Sequence, residues 1–354
     1  MKGQFPVDML KKALELVLVC TDLDLNSLTL KMTVVVQAMH YLTSHPNAMV
    51  SWPWAENNPV VFTLHQLQGA INNFTSDKRG SSPLVSEGRL QCGQLVAIKR
   101  LEHENRKMVY DLEVHTLTRL RHPNIINLIG YCAEGEERFF VYEFMRLGSL
   151  FDQLHARKPE ERPLDWSARM KIGAGVANAL NHLHNKARPR LIYGDLKPSN
   201  ILLSNGLIPK LSDFGIAKFA LFGNQSSPTT SPYWAPERTL TGRLTFKSDV
   251  YNFGMVLLEI ITGCADKSYI PIWVRREDQC IELAADPELK GQFSADMVMK
   301  ALEVVSRCVD EDPDSRPNMG DVLGAMNYLA SCDGDPGEMA WPVEFDLLPG
   351  VQLE

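Results

Sequence analysis

The chain has 354 residues, 45% of them apolar and 22% charged, which is the balance of a globular protein with room for one large domain or two smaller ones. Its 36 basic and 43 acidic residues leave a net charge of −7, so neither nucleic acid nor an anionic membrane is an expected partner. The seven cysteines form no C-x-x-C pair, no apolar run approaches the ~18 residues of a membrane span, and "MKGQFPVD" carries neither a secretory apolar stretch nor Met-Gly. Reduced thiols and a cytoplasmic setting are therefore expected.

In chain order, the first feature is a repeat. "DMLKKALELVLVCTDLDLNS" at 8–27 matches "DMVMKALEVVSRCVDEDPDS" at 296–315 at 11 of 20 positions. "MTVVVQAMHYLTS" at 32–44 then matches "MGDVLGAMNYLAS" at 319–331 at 7 of 13. Chance gives about one match in fifteen, so the two pieces are copies. Both have helical apolar spacing, as in Leu14, Val17 and Leu18. Two copies are too few for a solenoid; the front reads as the tail end of a second domain whose remainder is missing. Residues 45–60, rich in proline and asparagine, read as a linker.

Short apolar runs then predict strands at 95–101, 127–133 and 138–144, interrupted by a helix over "NRKMVYDLEVHTLTRL". From 149 to 331 helical spacing dominates, broken by loops at 192–200 and 213–236. The acidic, proline- and glycine-bearing end at 332–354 is expected to be mobile.

Four separated motifs carry candidate chemistry. "VAIK" puts Lys99 on a strand, where its ammonium suits the α- and β-phosphates of ATP, and Glu113 on the following helix is expected to pair with it. "GDLKPSN" offers Asp195 to accept a hydroxyl proton, Lys197 to balance the γ-phosphate and Asn200 to ligate metal. "DFG" adds Asp213, so that two hard oxygen donors suit Mg²⁺. "APE" supplies Glu237, with Arg316 of "DSRPNM" as its expected partner. Alone, each motif has a blander reading: a solvated strand lysine, or for Asp249 in "KSDVYNFG" a helix N-cap. Four in one order, with strands before and helices after, do not assemble by accident.

With these motifs, "FTLHQLQGAINNF" at 62–74, "RHPNIINLIGYCAEGEERFFVYEFMRLGSL" at 121–150 and "SDVYNFGMVLLEIITG" at 248–263 resemble the plant receptor-like cytoplasmic kinases over about three quarters of the chain. The resemblance implies an α+β, two-lobed protein kinase fold. Residues 58–142 would form a small antiparallel β-rich lobe and 143–331 a large helical one, between a 1–57 extension and the 332–354 tail. It implies ATP and Mg²⁺ as cofactors, with Gly80, Val85, Ala97, Lys99, Tyr142, Glu143, Met145, Asn200 and Asp213 around the nucleotide. Tyr142 would be the gatekeeper, Glu143 to Met145 the hinge, and Asn200 and Asp213 the metal ligands. Thr230, like Lys197, implies serine/threonine specificity, while Glu237, Asp249 and Arg316 would hold the structure. Protein substrates are implied, with receptor kinases or immune receptors as further partners and peripheral plasma-membrane association as an option.

Two departures stand out. In the phosphate-covering loop, only Gly80 remains of the three glycines expected over "KRGSSP", and Pro83 has no N–H to offer phosphate. In the catalytic loop, Gly194 stands where an arginine that grips activation-loop phosphate is usual. The first departure predicts a slow enzyme, down by about 10²-fold; the second predicts activity that does not read phosphorylation. A scaffold or decoy that has lost catalysis is the competing reading, favoured by the eroded loop and the stray front helices.

Overall fold

A computed structural model of the chain describes residues 59–72, 85–101, 106–158, 160–214, 218–219, 231–265, 285–331, 341–342 and 345. The front repeat, Gly80 with its loop, and Thr230 lie outside the described residues.

The first lobe is built on a five-stranded sheet of order β1-β4-β5-β3-β2. Its strands are β1 (Val60–Val61), β2 (Val85–Arg89), β3 (Leu95–Arg100), β4 (Leu128–Glu134) and β5 (Glu137–Glu143). Only the β1–β4 pair is parallel; the others are antiparallel. Alternation along β3 and β5 sorts their side chains between two faces. Val96, Ile98, Phe139 and Val141 pack with Leu67 and Ala70 of helix α1 (Leu64–Asn72). That helix starts at a reciprocal cap, in which the Gln66 N–H donates to Thr63 Oγ1 and the Thr63 N–H to Gln66 Oε1. The opposite face carries the cross-strand pairs Ala97–Tyr142 and Lys99–Phe140, turned toward α2 (Arg106–Leu117). One strand period thus separates the outer core from the residues that line the cleft.

The second lobe is helical. Helices α3 (Leu150–His155) and α4 (Trp166–Asn181) lead to β6 (Leu191–Ile192), followed by β7 (Ile201–Leu203), β8 (Pro209–Leu211) and β9 (Lys218–Phe219). Helices α5 (Pro236–Thr241), α6 (Phe246–Thr262), α7 (Ala295–Cys308) and α8 (Met319–Ser331) complete it. A Thr245–Ser248 capping box opens α6, which is buried almost all round and forms the lobe's axis. At Gly254 a Cβ would meet Cys308 Cβ at 2.7 Å, so this glycine is what lets α7 lie so close to α6. Across the lobe, α8 packs against α4 through Met326 and Gly173.

The rear copy of the repeat forms α7 and α8, whose buried faces (Val298, Ala301, Val305; Val322, Ala325, Met326) make it integral to this core. The expectation of a mobile end fails at three places: Trp341, Pro342 and Phe345 are packed on the lobe. Phe345 is buried, its carbonyl accepts from Trp341 Nε1 at 3.1 Å, and Trp341 lies edge-on to Tyr328. Burying one phenylalanine is worth about 1.5–3 kcal/mol, which offsets the backbone entropy of only one or two ordered residues.

Candidate active site

Between the lobes, β3 and β5 face the loop that follows β6, the expected catalytic loop. The loop is held through its backbone. Asp249, fully buried on α6, accepts from the Tyr193 N–H at 2.8 Å and the Gly194 N–H at 2.7 Å. His184 Nε2 sits 2.8 Å from the same carboxylate. Asp249 is therefore not the N-cap of its helix; Thr245 has that role. Gly194 adopts φ +80°, a conformation glycine takes without steric cost and which sets the direction of the next residue, Asp195. The Tyr193 hydroxyl donates to the Ser212 carbonyl, and its ring packs on Phe214.

On this fixed loop, Lys197 Nζ and Asn200 Nδ2 both converge on Asp195 Oδ2, at 2.8 and 2.9 Å. Asn200 also donates to the Asp195 carbonyl at 2.9 Å. Both bonds use the amide nitrogen and leave its oxygen as a hard donor. Asp213 holds φ +57°, sparsely populated for a residue with a side chain, and its carboxylate faces the cleft while Phe214 is buried behind it. Two hard oxygen donors of this kind suit a Mg²⁺-type ion. Among the described residues no cluster of three His, Cys, Asp or Glu forms a protein-only metal cage.

Lys99 meets Asp213, Nζ to Oδ1, at 3.0 Å. Here the expectation of a Lys99–Glu113 pair is corrected: among the described residues, Lys99 makes its ion pair with Asp213. Glu113 is fully buried, and its Oε1 accepts instead from the Tyr142 hydroxyl at 2.5 Å and the Phe214 N–H at 3.3 Å. Its Oε2 has no hydrogen-bond partner among the described residues. The reason is position: Tyr142 projects from β5 on the same sheet face as Lys99 and reaches the carboxylate first. Burial raises the Glu113 pKa, Lys99 opposes this, and Asp213 adds to it. Burial also pulls the Lys99 ammonium down, but Glu113 and Asp213 outweigh it and hold the lysine above its ordinary value.

The remaining expected residues fall around this centre. Ala97 lies beside Tyr142 across the sheet, and Val85 opposes Lys99 on β2. Met145 is buried just past β5. The Glu143 carboxylate is engaged by the Asn127 N–H (2.8 Å) and Lys210 (2.9 Å), and its own N–H donates to the Asn127 carbonyl at 3.1 Å. Farther off, Arg316 is buried with its guanidinium on both Glu237 oxygens at 2.9 Å, and Nη1 also donates to the Lys247 carbonyl. Ser248 donates to Glu237 as well, at 2.9 Å.

Three groups went unread in the sequence. His184 is one. A second is a chain of side chains linking α3, α6 and the segment before α5: His155 Nε2 lies 2.7 Å from Glu259, which accepts from the Tyr233 hydroxyl at 2.7 Å. The third is Arg238, next to Glu237, which donates to the Gly194 carbonyl. None had a local signal, because each partner is distant in sequence.

A family model described as "Protein kinase domain" matches residues 79–328. The chain belongs to the protein kinase family. It is 44% identical over 315 residues to "Probable serine/threonine-protein kinase PBL7" of Arabidopsis thaliana, covering 82% of either chain. It is 45% identical over 301 residues to "Serine/threonine-protein kinase PBS1" of the same plant, covering 78% of this chain and 66% of that one. With "Serine/threonine-protein kinase PBL27" the identity is 44% over 308 residues, 80% of this chain and 60% of the relative. The resemblance to plant receptor-like cytoplasmic kinases thus holds across most of the chain, and the fold is the two-lobed α+β fold of that family. Kinases of this family use ATP with a divalent metal and act on proteins, so these relatives favour the enzyme over the scaffold reading.

Proposed function

We propose that this protein kinase transfers the γ-phosphoryl group of Mg·ATP to serine or threonine hydroxyls of other proteins. The observation that carries the reading is the convergence of Lys197 and Asn200 on one oxygen of Asp195, opposite the Lys99–Asp213 pair. Asp195 accepts the proton of the attacking hydroxyl, and Lys197 balances charge on the transferred group. Lys99 is released from Asp213 to the α- and β-phosphates, while the backbone of Glu143–Met145 meets the base. Asn200 and Asp213 would hold the metal, which when bound neutralises phosphate charge. Phosphoryl transfer depends mainly on positioning and charge, and these residues supply both even where the covering loop over Gly80 is eroded.

The test is Mg²⁺-dependent labelling of protein serine or threonine. Asp195→Asn and Asp213→Asn are each expected to abolish it, the first by removing the proton acceptor, the second a metal ligand. A Mg·ATP-induced rise in melting temperature should survive Asp195→Asn and vanish in Asp213→Asn. Wild-type protein that neither labels any substrate nor shows that rise overturns the proposal. One observation favours the scaffold reading, the capture of Glu113 by Tyr142 in place of Lys99; the same assay decides it.

The setting proposed is cytoplasmic signalling with receptor kinases or immune receptors as partners and peripheral plasma-membrane contact. Supporting it are the resemblance to receptor-like cytoplasmic kinases and the fact that no described helix is long and apolar enough to cross a membrane.

A further inference from the structure

Arg238 is the least explained charge in the molecule. It is buried, only 8% exposed, in the first turns of α5, and among the described residues it forms no ion pair within 4.0 Å. Removing a guanidinium from water without a carboxylate partner is costly unless other groups take up its charge and its N–H donors. Two do. Its Cζ lies 3.6 Å from the centre of the Trp234 ring, a stacked cation–π contact, and its Nη1 donates to the Gly194 carbonyl. Burial lowers the pKa of this guanidinium, and the nearby Asp195 and Asp249 carboxylates partly offset that.

The residue before Asp195 is thereby gripped at both ends of its backbone. Its N–H is held by Asp249 of α6, at 2.7 Å, and its C=O by Arg238 of α5. Helix α5 is itself fixed one residue earlier, where Glu237 receives both arms of Arg316. A path of charged hydrogen bonds therefore runs from Arg316 through α5 to the peptide that aims Asp195. Position 194 has no side chain with which to draw in a phosphorylated activation loop, yet the peptide there is already clamped.

We propose that Arg238 is a positioning residue of the catalytic loop: its guanidinium, stacked on Trp234 and bonded to the Gly194 carbonyl, sets the aim of Asp195 without activation-loop phosphorylation. Arg238 touches neither nucleotide nor the reacting hydroxyl; it acts through the Gly194–Asp195 peptide. The catalytic consequence rests on the kinase reading above, while the clamp itself does not.

The test compares Arg238→Met, which keeps a long side chain over Trp234 but has no donor, with Arg238→Lys, which keeps a cationic donor. Backbone amide exchange of residues 193–195 should speed up about tenfold in Arg238→Met, the loss expected for one charged hydrogen bond, while residues 252–258 of α6 stay unchanged. Arg238→Lys should restore most of that protection. In the kinase assay, kcat should fall about tenfold in Arg238→Met with KM for ATP unchanged, and recover in Arg238→Lys. Wild-type exchange at 193–195 in Arg238→Met overturns the clamp. Equal loss in both variants with a common drop in melting temperature overturns it too, because packing on Trp234 would then be the whole role. If the wild type itself is inactive but the exchange pattern holds, the clamp stands and the kinase reading is what has failed. If exchange responds while kcat does not, the positioning role is overturned.

Discussion

Two corners of the same cleft are held in opposite ways. Around the catalytic loop, Asp249 takes two backbone N–H groups and His184, Arg238 takes the next carbonyl, and Lys197 and Asn200 share one oxygen of Asp195. At the Lys99 corner, Glu113 is fully buried with one oxygen unpartnered among the described residues, and Lys99 reaches past it to Asp213. A network with every member satisfied is rigid, whereas one with an orphaned buried oxygen has a second arrangement within reach. The comparison teaches where this kinase is set in advance and where nucleotide would have work left to do: Asp195, proposed as the proton acceptor, is fixed, and Lys99, proposed to hold phosphate, is not.

The largest effects are expected where the fixed corner is cut. Asp249→Ala removes the acceptor for two backbone N–H groups inside a dry core and should cost about 3–5 kcal/mol, read as urea unfolding, with activity lost. Arg316→Ala should cost a similar ~3–5 kcal/mol, because partly buried Glu237 keeps only Ser248 as a donor and the Lys247 carbonyl loses its own. This pair also has a pH signature. Burial pushes the Glu237 carboxyl up, but Arg316 and Ser248 outweigh it and leave it below its ordinary 4.5. A depressed folded-state value means the contribution is full above pH 4.5 and is lost as pH falls through the lower folded value. The stability gap between wild type and Glu237→Gln should therefore narrow as pH is taken below that point. A gap independent of pH would mean the pair contributes nothing through charge.

Glu113→Gln probes the loose corner and should separate stability from activity. The amide oxygen still accepts from Tyr142, and the burial penalty on a carboxylate disappears, so melting temperature should hold or rise. If the charge of Glu113 is needed to draw Lys99 from Asp213 during turnover, kcat should drop about tenfold. An unchanged kcat would mean that Lys99 is steered by Asp213 and phosphate alone. The smallest effect is Gly194→Ala, where a Cβ at φ +80° should cost about 1 kcal/mol by chemical denaturation.

Much of the cleft was legible because its residues sit in short contiguous motifs: Lys99 in a strand, Asp195 to Asn200 in one loop, Asp213 beside Phe214. The strands at β3, β4 and β5 were readable as short apolar runs. What stayed hidden depends on tertiary closure. His184 meets Asp249 across 65 positions and Arg238 meets Gly194 across 44, with no periodicity to announce either. Tyr142 intercepting Glu113 was hidden for a related reason, since the motif order names both residues but not which neighbour arrives first. At the tail, an acidic, proline-bearing composition gives no sign of the packing that Trp341 and Phe345 make.

The central claim is that the catalytic loop is set by its own charged clamps and not by phosphate on the activation segment. The most direct test is the initial rate of Mg²⁺-dependent substrate phosphorylation by protein stripped of phosphate, compared with the untreated enzyme. The two rates should agree within about twofold, because no residue at position 194 reads the modification. A rate that falls tenfold or more on removal, roughly the effect of a phosphate-ordered loop, and returns on rephosphorylation would contradict it.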